Sequence, residues 1–98
     1  MERRLPIIVV VRLVYCWGVG SDAEERTYTD NISPTGARIF SKCLWRPGDM
    51  IWVAPVHEEP VCANVIYSQR LLDDRYSLGV RFEDGPVTWS IIQRYARS

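Results

Sequence analysis

"YSLGVRFE", residues 76–83, is the clearest strand in the sequence. Its apolar positions alternate with small or polar ones, so that Tyr76, Leu78, Val80 and Phe82 form one set and Ser77, Gly79, Arg81 and Glu83 the other. Successive side chains of a β-strand point to opposite faces. The pattern therefore predicts a strand with one buried and one solvated face.

Five further segments rich in β-forming residues precede it. They predict strands over 5–15, largely buried, and over 26–30, 37–42, 50–55 and 61–70. Residues 31–36, "NISPTG", predict a turn, and so do residues 44–49, "LWRPGD", where Pro47 and Gly48 suit a type II turn. In the third segment, 37–42, Ala37 and Ile39 share a face. In the segment 61–70 the alternation places Ala63, Val65 and Tyr67 on one face and Cys62, Asn64 and Ile66 on the other.

After "DGP" the apolar spacing becomes helical. Trp89, Ile92 and Tyr95 or Ala96 recur at intervals of three to four residues, and Thr88 is a candidate cap. We expect this stripe to pack on the core. Six strands at regular spacing, followed by one short helix, predict an all-β barrel or sandwich that forms a single domain over residues 1–98. A closed barrel leaves no exposed sheet edge.

The composition argues against several classes of function. Twelve basic and twelve acidic residues give a net charge of zero, which is unlike a general DNA- or RNA-binding protein. An anionic ligand must therefore meet a local cluster of positive charge. The three cysteines show no metal-ligand spacing, and we expect free, mostly buried thiols in the cytoplasm. The apolar run near the start is too short for membrane insertion, and no cleavage site follows it.

Nothing in the sequence predicts catalysis. It has no nucleophile elbow, phosphate-binding loop or His–Glu zinc motif. The acidic pairs Glu24–Glu25, Glu58–Glu59 and Asp73–Asp74 fall in predicted loops, where we expect solvated charges. His57 is the only histidine. We therefore expect no enzyme activity, no metal and no cofactor.

The turn at 31–36 has two interpretations. Asn31 and Ser33 suit a turn by hydrogen bonding to the local backbone, and Gly36 can adopt a positive φ. Yet the stretch "NISPTGARI" also resembles the (D/N)xSxxG motif of PilZ domains, which are bacterial receptors for cyclic di-GMP. "LWRPGDMIWV" and "YSLGVRFED" are similar to two further family motifs, in the same order along the chain.

The resemblance implies a six-stranded antiparallel PilZ-type β-barrel with a short C-terminal α-helix. It also implies a cyclic di-GMP site formed by Asn31, Ser33 and Gly36 together with an arginine pair, RxxxR, before the first strand. In that site Gly36 would let the turn pack closely or take the required dihedral angle. The sequence departs from RxxxR: Arg4 matches the second arginine, and the first would precede Met1. Arg3 is adjacent to Arg4 and is a candidate substitute.

Two functions follow from the resemblance. The first is a non-catalytic cytoplasmic receptor in which cyclic di-GMP orders a flexible, arginine-bearing N-terminus and so signals to an unidentified downstream protein. The alternative is a degenerate PilZ domain that does not bind the nucleotide and serves as a protein interaction module. Tryptophan is favoured at interfaces, and Trp17 is the best candidate for an exposed anchor. Of Trp45 and Trp52, we expect at least one in the core.

Overall fold

The computed structural model describes residues 4–15 and 24–96. The strands are β1 (Val10–Tyr15), β2 (Glu24–Ser33), β3 (Gly36–Ser41), β4 (Met50–Pro55), β5 (Val61–Arg70) and β6 (Tyr76–Phe82), and the helix α1 spans Ser90–Ala96. The strands pair antiparallel in the order β1-β2-β3-β6-β5-β4, and β4 returns to β1 to close the barrel. The predicted fold class is confirmed.

Inward-pointing aliphatic side chains fill the barrel. Leu13, Ile32, Ile39, Ile51 and Leu78 are the largest of the fully buried residues. The apolar set predicted for β6 lies inside the barrel, but the predicted solvated face is confirmed only in part, because Arg81 is exposed while Ser77 and Gly79 are buried. Burying these side chains contributes the main favourable term in folding, at about 25 cal/mol per Å² of apolar surface.

Helix α1 packs against the barrel through its apolar side. Trp89, which directly precedes the helix, and Ile92 are buried, and the Trp89 ring meets Phe82 edge-on at 5.2 Å between centroids. The predicted cap at Thr88 is wrong. The Trp89 carbonyl accepts the first helical hydrogen bonds, and the Glu58 carboxylate accepts bonds from the backbone N–H of Ser90 at 2.9 Å and from its hydroxyl at 2.6 Å.

The first predicted strand is shorter than expected. Strand β1 begins at Val10, with Val11 and Leu13 buried and Arg12 exposed, so only one face is buried. Residues 4–9, here called the N-terminal segment, lie along β2. Two backbone hydrogen bonds of 2.8 and 2.9 Å join Leu5 to Ile32. These bonds hold this part of the N-terminus, which was expected to be flexible, on the barrel.

The side chain of Thr29 makes a second attachment for the N-terminal segment. Its buried hydroxyl donates to the Ile7 carbonyl at 2.9 Å and accepts from the Val9 backbone N–H at 3.0 Å. The Thr29 N–H also donates to the Val9 carbonyl at 2.9 Å. A side-chain hydroxyl thus replaces part of the pairing that a regular strand would make with its backbone.

The turn predicted over 31–36 is smaller in the structure. Residues 31–33 belong to β2, and only Pro34 and Thr35 form the turn. The register shifts between Thr29 and Asn31, so Asp30 is an extra residue in a β-bulge. The alternation of apolar and polar residues in the sequence does not predict this bulge. The bulge changes the face on which a side chain lies, but the amino acid stays the same.

A second bulge lies in β5. Val65 pairs with Val80 and Tyr67 with Gly79, which leaves Ile66 as the extra residue. The prediction that Tyr67 shares a face with Ala63 and Val65 is therefore wrong. Those two are buried inside, whereas the bulge turns Tyr67 to the outer face of the barrel.

Three smaller expectations can also be compared with the structure. Trp45 is 2% exposed and Trp52 is 40% exposed, as the prediction of at least one core tryptophan requires. Cys43 and Cys62 form no disulfide within the described ranges, but Cys43 is exposed and Cys62 only half-buried, so the expectation of mostly buried cysteines is wrong for this pair. Trp17 and Cys16 lie outside the described residues. Within the described ranges, no helix has the length and apolarity to cross a membrane.

Candidate functional site

Two cross-strand rows bring the predicted motif residues together. One row pairs Asn31 with Arg38, Arg38 with Gly79, and Gly79 with Tyr67. The next row pairs Ser33 with Gly36, Gly36 with Arg81, and Arg81 with Asn64. The eight residues of these rows, on β2, β3, β6 and β5, are here called the motif face. Adjacent strands lie about 4.8 Å apart, so the rows form one continuous surface.

Arg4 reaches the motif face from the N-terminal segment. Its Nη1 donates to the side-chain oxygen of Asn31 at 2.9 Å. The bridge between Leu5 and Ile32 places Arg4 next to β2. The structure therefore brings together two of the predicted site residues that are 27 positions apart. Arg3, also predicted for the site, lies outside the described residues.

The Ser33 side chain forms hydrogen bonds within the turn that follows it. Its hydroxyl oxygen accepts from the backbone N–H groups of Gly36 at 3.2 Å and Thr35 at 3.4 Å, and the Ser33 side chain is buried. Unpaired buried N–H groups are costly, so this hydroxyl is needed to build the turn. This turn also determines how Asn31 and Gly36 lie relative to each other.

Gly36 is required by close packing. A Cβ at this position would lie 2.5 Å from the carbonyl oxygen of Val80 on β6. Of the two roles expected for Gly36, this distance supports close packing of the turn. The positive φ is not observed, because among the described residues the glycines with positive φ are Gly48 and Gly85. At Gly48, with φ of 95°, the requirement for positive φ in the predicted turn is confirmed.

Arg38 is a site candidate that the sequence analysis missed. Its Nε donates to the two carboxylate oxygens of Asp30 at 2.8 and 3.0 Å, and its Nη2 donates to the same carboxylate. The hydrogen bonding to the Asp30 carboxylate is the main cause that raises the pKa of Arg38, and desolvation opposes it. The bulge at Asp30 makes this pairing possible, since it puts Asp30 and Asn31 side by side. One signal was available: Ala37 and Ile39 point inward, so Arg38 must point outward beside the motif.

The remaining polar side chains of the motif face are Arg81, which adds a positive charge, and Asn64, which is neutral. Arg81 is exposed, and no ion pair to it occurs among the described residues. The buried side-chain oxygen of Asn64, its neighbour, has no hydrogen-bond partner within the part of the chain that the structure describes. Arg4, Arg38 and Arg81 against one carboxylate, that of Asp30, give the region a local excess of positive charge. The chain as a whole is neutral.

Three of the acidic residues expected to be solvated also have hydrogen-bonding partners: Asp73 and Asp74 are exposed as expected, and Glu58 is half-buried. Hydrogen bonds from the Ser90 hydroxyl and N–H lower the pKa of Glu58, and the hydrogen bond from Arg75 lowers the pKa of Asp73. Asp74 pairs with Arg70 at 2.7 Å. These carboxylates stabilise loops and the start of α1. Within the described ranges, no cluster of three metal-ligating side chains occurs.

Comparison with known proteins gives a consistent result. A solved structure of the Bacillus subtilis inhibitor of motility (MotI/DgrA) is similar in fold, with a TM-score of 0.69 at 16% sequence identity, over 95% of this chain and 46% of that chain. This chain thus spans less than half of that protein. A comparison with curated proteins finds no match. The model of the PilZ domain family matches residues 2–98. The chain belongs to the PilZ domain family.

Proposed function

We propose that this protein binds cyclic di-GMP on the motif face and acts as a non-catalytic cytoplasmic receptor. The observation that carries the proposal is the hydrogen bond between Arg4 and Asn31, which joins the two parts of a PilZ-type site. The ligand would contact Arg4 and Asn31 directly. Ser33 and Gly36 would act through the turn that they build.

The charge distribution supports an anionic ligand. Cyclic di-GMP carries two phosphates, and guanidinium groups bind phosphate oxygens with two parallel hydrogen bonds. Arg4 donates to a neutral amide oxygen, and Arg81 has no ion pair among the described residues. No carboxylate in the described part of the chain therefore competes with a phosphate for either guanidinium group. We therefore assign phosphate contacts to Arg4 and Arg81.

Signalling would use the N-terminal segment. A few hydrogen bonds to Ile32 and Thr29 attach it to β2, and its Ile8 side chain is 70% exposed. A ligand that bridges Arg4 to the barrel would stabilise the attached arrangement. The ligand would thus shift a population that already exists, and a downstream protein would recognise the surface that results.

Calorimetric titration of the full chain with cyclic di-GMP tests the proposal. We expect saturable binding with one family of equivalent or sequential sites, and no response to GMP at the same concentration. The absence of heat at high micromolar cyclic di-GMP, from protein shown to be folded by circular dichroism, would contradict the receptor function. Binding that is unchanged in Asn31→Ala would instead contradict the assignment of the site.

A second candidate function has one specific observation in its favour. Trp52 is 40% exposed on the outer face of β4 and borders a shallow groove with Val14, Ala54 and Pro60. This groove lies across the barrel from Arg38 in the strand order. A domain that no longer binds the nucleotide would use such a surface for contacts with another protein. Folded protein that fails to bind cyclic di-GMP would favour this function.

A further inference from the structure

The Asp30–Arg38 pair leaves a defined set of donors free. A guanidinium group carries five N–H bonds in a planar fork. Asp30 takes the Nε–H and one N–H of Nη2, which is a side-on pairing. The other N–H of Nη2 and the N–H groups of Nη1 have no carboxylate partner among the described residues. The pairing therefore holds the guanidinium group in one orientation, and its remaining donors meet the Tyr67 hydroxyl but no carboxylate among the described residues.

We propose that Arg38, oriented by Asp30, reads the O6 and N7 edge of one guanine of the bound nucleotide. This inference rests on the proposed function. An arginine that presents two parallel N–H groups matches the two acceptors of that edge, which is the commonest specific contact between arginine and guanine. Adenine has an amino group in place of O6, so the same contact discriminates against it.

Charge favours a base over a phosphate at this position. Asp30 places a carboxylate against the Arg38 guanidinium, and its charge would repel an approaching phosphate. A guanine edge is neutral and offers only acceptors. Arg4 and Arg81, without such a carboxylate, suit the phosphates better. The motif face therefore separates the recognition of base from the recognition of phosphate.

Tyr67 supplies an aromatic surface beside Arg38. Gly79 lies between them in the row, and a Cβ on Gly79 would come within 2.0 Å of the Tyr67 ring. The ring thus occupies space that only a glycine leaves open. The Tyr67 hydroxyl lies near the Arg38 guanidinium and adds a smaller contribution to its raised pKa. A base contacting Arg38 would find this ring available for stacking, which stabilises bases of any type.

Three ligands and two variants test the inference. The ligands are cyclic di-GMP, cyclic di-AMP and the cyclic di-GMP analogue with 7-deazaguanine bases, which lacks N7. Loss of part of a bidentate contact should make the wild-type protein bind the deaza analogue roughly 10-fold more weakly than cyclic di-GMP. In Arg38→Lys and in Asp30→Asn this ratio should fall to about two or less, because a lysine or an unheld arginine cannot present the fork.

Matched controls are Arg70→Lys and Asp74→Asn, which alter an exposed Arg–Asp pair at the far end of β5 and should keep the wild-type ratio. Circular dichroism and thermal midpoints confirm folding. A wild-type ratio retained in Arg38→Lys would overturn this inference alone. Tighter binding by Asp30→Asn with the ratio unchanged would show that Asp30 competes with the ligand, and would also overturn it. If the wild-type protein binds none of the three ligands, the proposed function fails and the inference with it.

Discussion

The Nη1 of Arg4 lies 2.9 Å from the side-chain oxygen of Asn31, and this hydrogen bond joins the N-terminal segment to the bulged part of β2. The bulge at Asp30 determines where Asn31 points, and the bridge between Leu5 and Ile32 determines where Arg4 lies. The site therefore depends on two backbone features as well as on its side chains. Variants can separate these contributions.

Arg4→Ala should weaken cyclic di-GMP binding by roughly 10- to 100-fold, because it removes a charged bidentate donor. The thermal midpoint should change little, since the Arg4 side chain is exposed. Calorimetric titration measures the affinity. The control is Arg26→Ala, which removes an exposed arginine of β2 instead and should bind the ligand as the wild type does. Equal affinity in the two variants would contradict the role of Arg4.

Ser33→Ala should destabilise the fold by about 1–3 kcal/mol, because the N–H groups of Thr35 and Gly36 lose their acceptor. Urea unfolding measures the loss as a lower midpoint with an unchanged slope. Any loss of ligand affinity should accompany this loss of stability. A variant that keeps full stability and loses only binding would show that the Ser33 hydroxyl contacts the ligand.

Gly36→Ala should destabilise the barrel by about 1–3 kcal/mol, since the added methyl group meets a backbone carbonyl that cannot move without disturbing β6. Urea unfolding again gives the free energy of unfolding.

Gly79→Ala is the matched comparison for Gly36→Ala. Its methyl group would meet the Tyr67 ring, which is 40% exposed and can rotate away. We expect a smaller loss of stability than for Gly36→Ala. The reverse order would mean that Tyr67 is more rigidly held than its exposure indicates.

Glu58 should make stability depend on pH at the acidic end. Its pKa is lower in the folded protein than in the unfolded chain because the hydroxyl and N–H of Ser90 bond to the charged carboxylate. A carboxylate with a lowered pKa contributes stability above its unfolded pKa of about 4.3, and loses it as the pH falls through the folded value.

Glu58→Gln should therefore lower the thermal midpoint at neutral pH, and the difference from wild type should shrink and vanish as the pH falls below the folded pKa of Glu58. Its exposed neighbour gives the control, because Glu59→Gln should follow the wild-type curve throughout. A constant difference at every pH would attribute the effect to packing rather than to the charge of Glu58.

The sequence was sufficient for the barrel but insufficient for the whole site. Alternation in β3 and β6, and the Pro47–Gly48 turn, depend on local preferences that a pattern records. The closure of the barrel followed from the number of strands and from the family resemblance. The bulges at Asp30 and Ile66 depend on how two strands fit each other, and no local pattern records that.

The missed residues follow from this difference. A bulge at Ile66 moved Tyr67 to the outer face, and a bulge at Asp30 gave Arg38 its carboxylate partner. Each residue taken alone reads as an ordinary strand position. By contrast, Asn31, Ser33 and Gly36 belong to one contiguous motif, so their spacing was visible in the sequence. Residues contributed by neighbouring strands become visible only once the register is known.

The attachment through Thr29 has a consequence for motion on the timescale of amide hydrogen exchange. A segment held by the hydroxyl and backbone N–H of Thr29 and by the bridge between Leu5 and Ile32 can open without separating any of the six barrel strands. Its free energy of opening is then below that of global unfolding, so the amides of Leu5 and Val9 should exchange faster than those of Val11 and Leu13. Arg4 moves with that segment. The protein would thus alternate between a complete and an incomplete ligand site while the barrel stays folded.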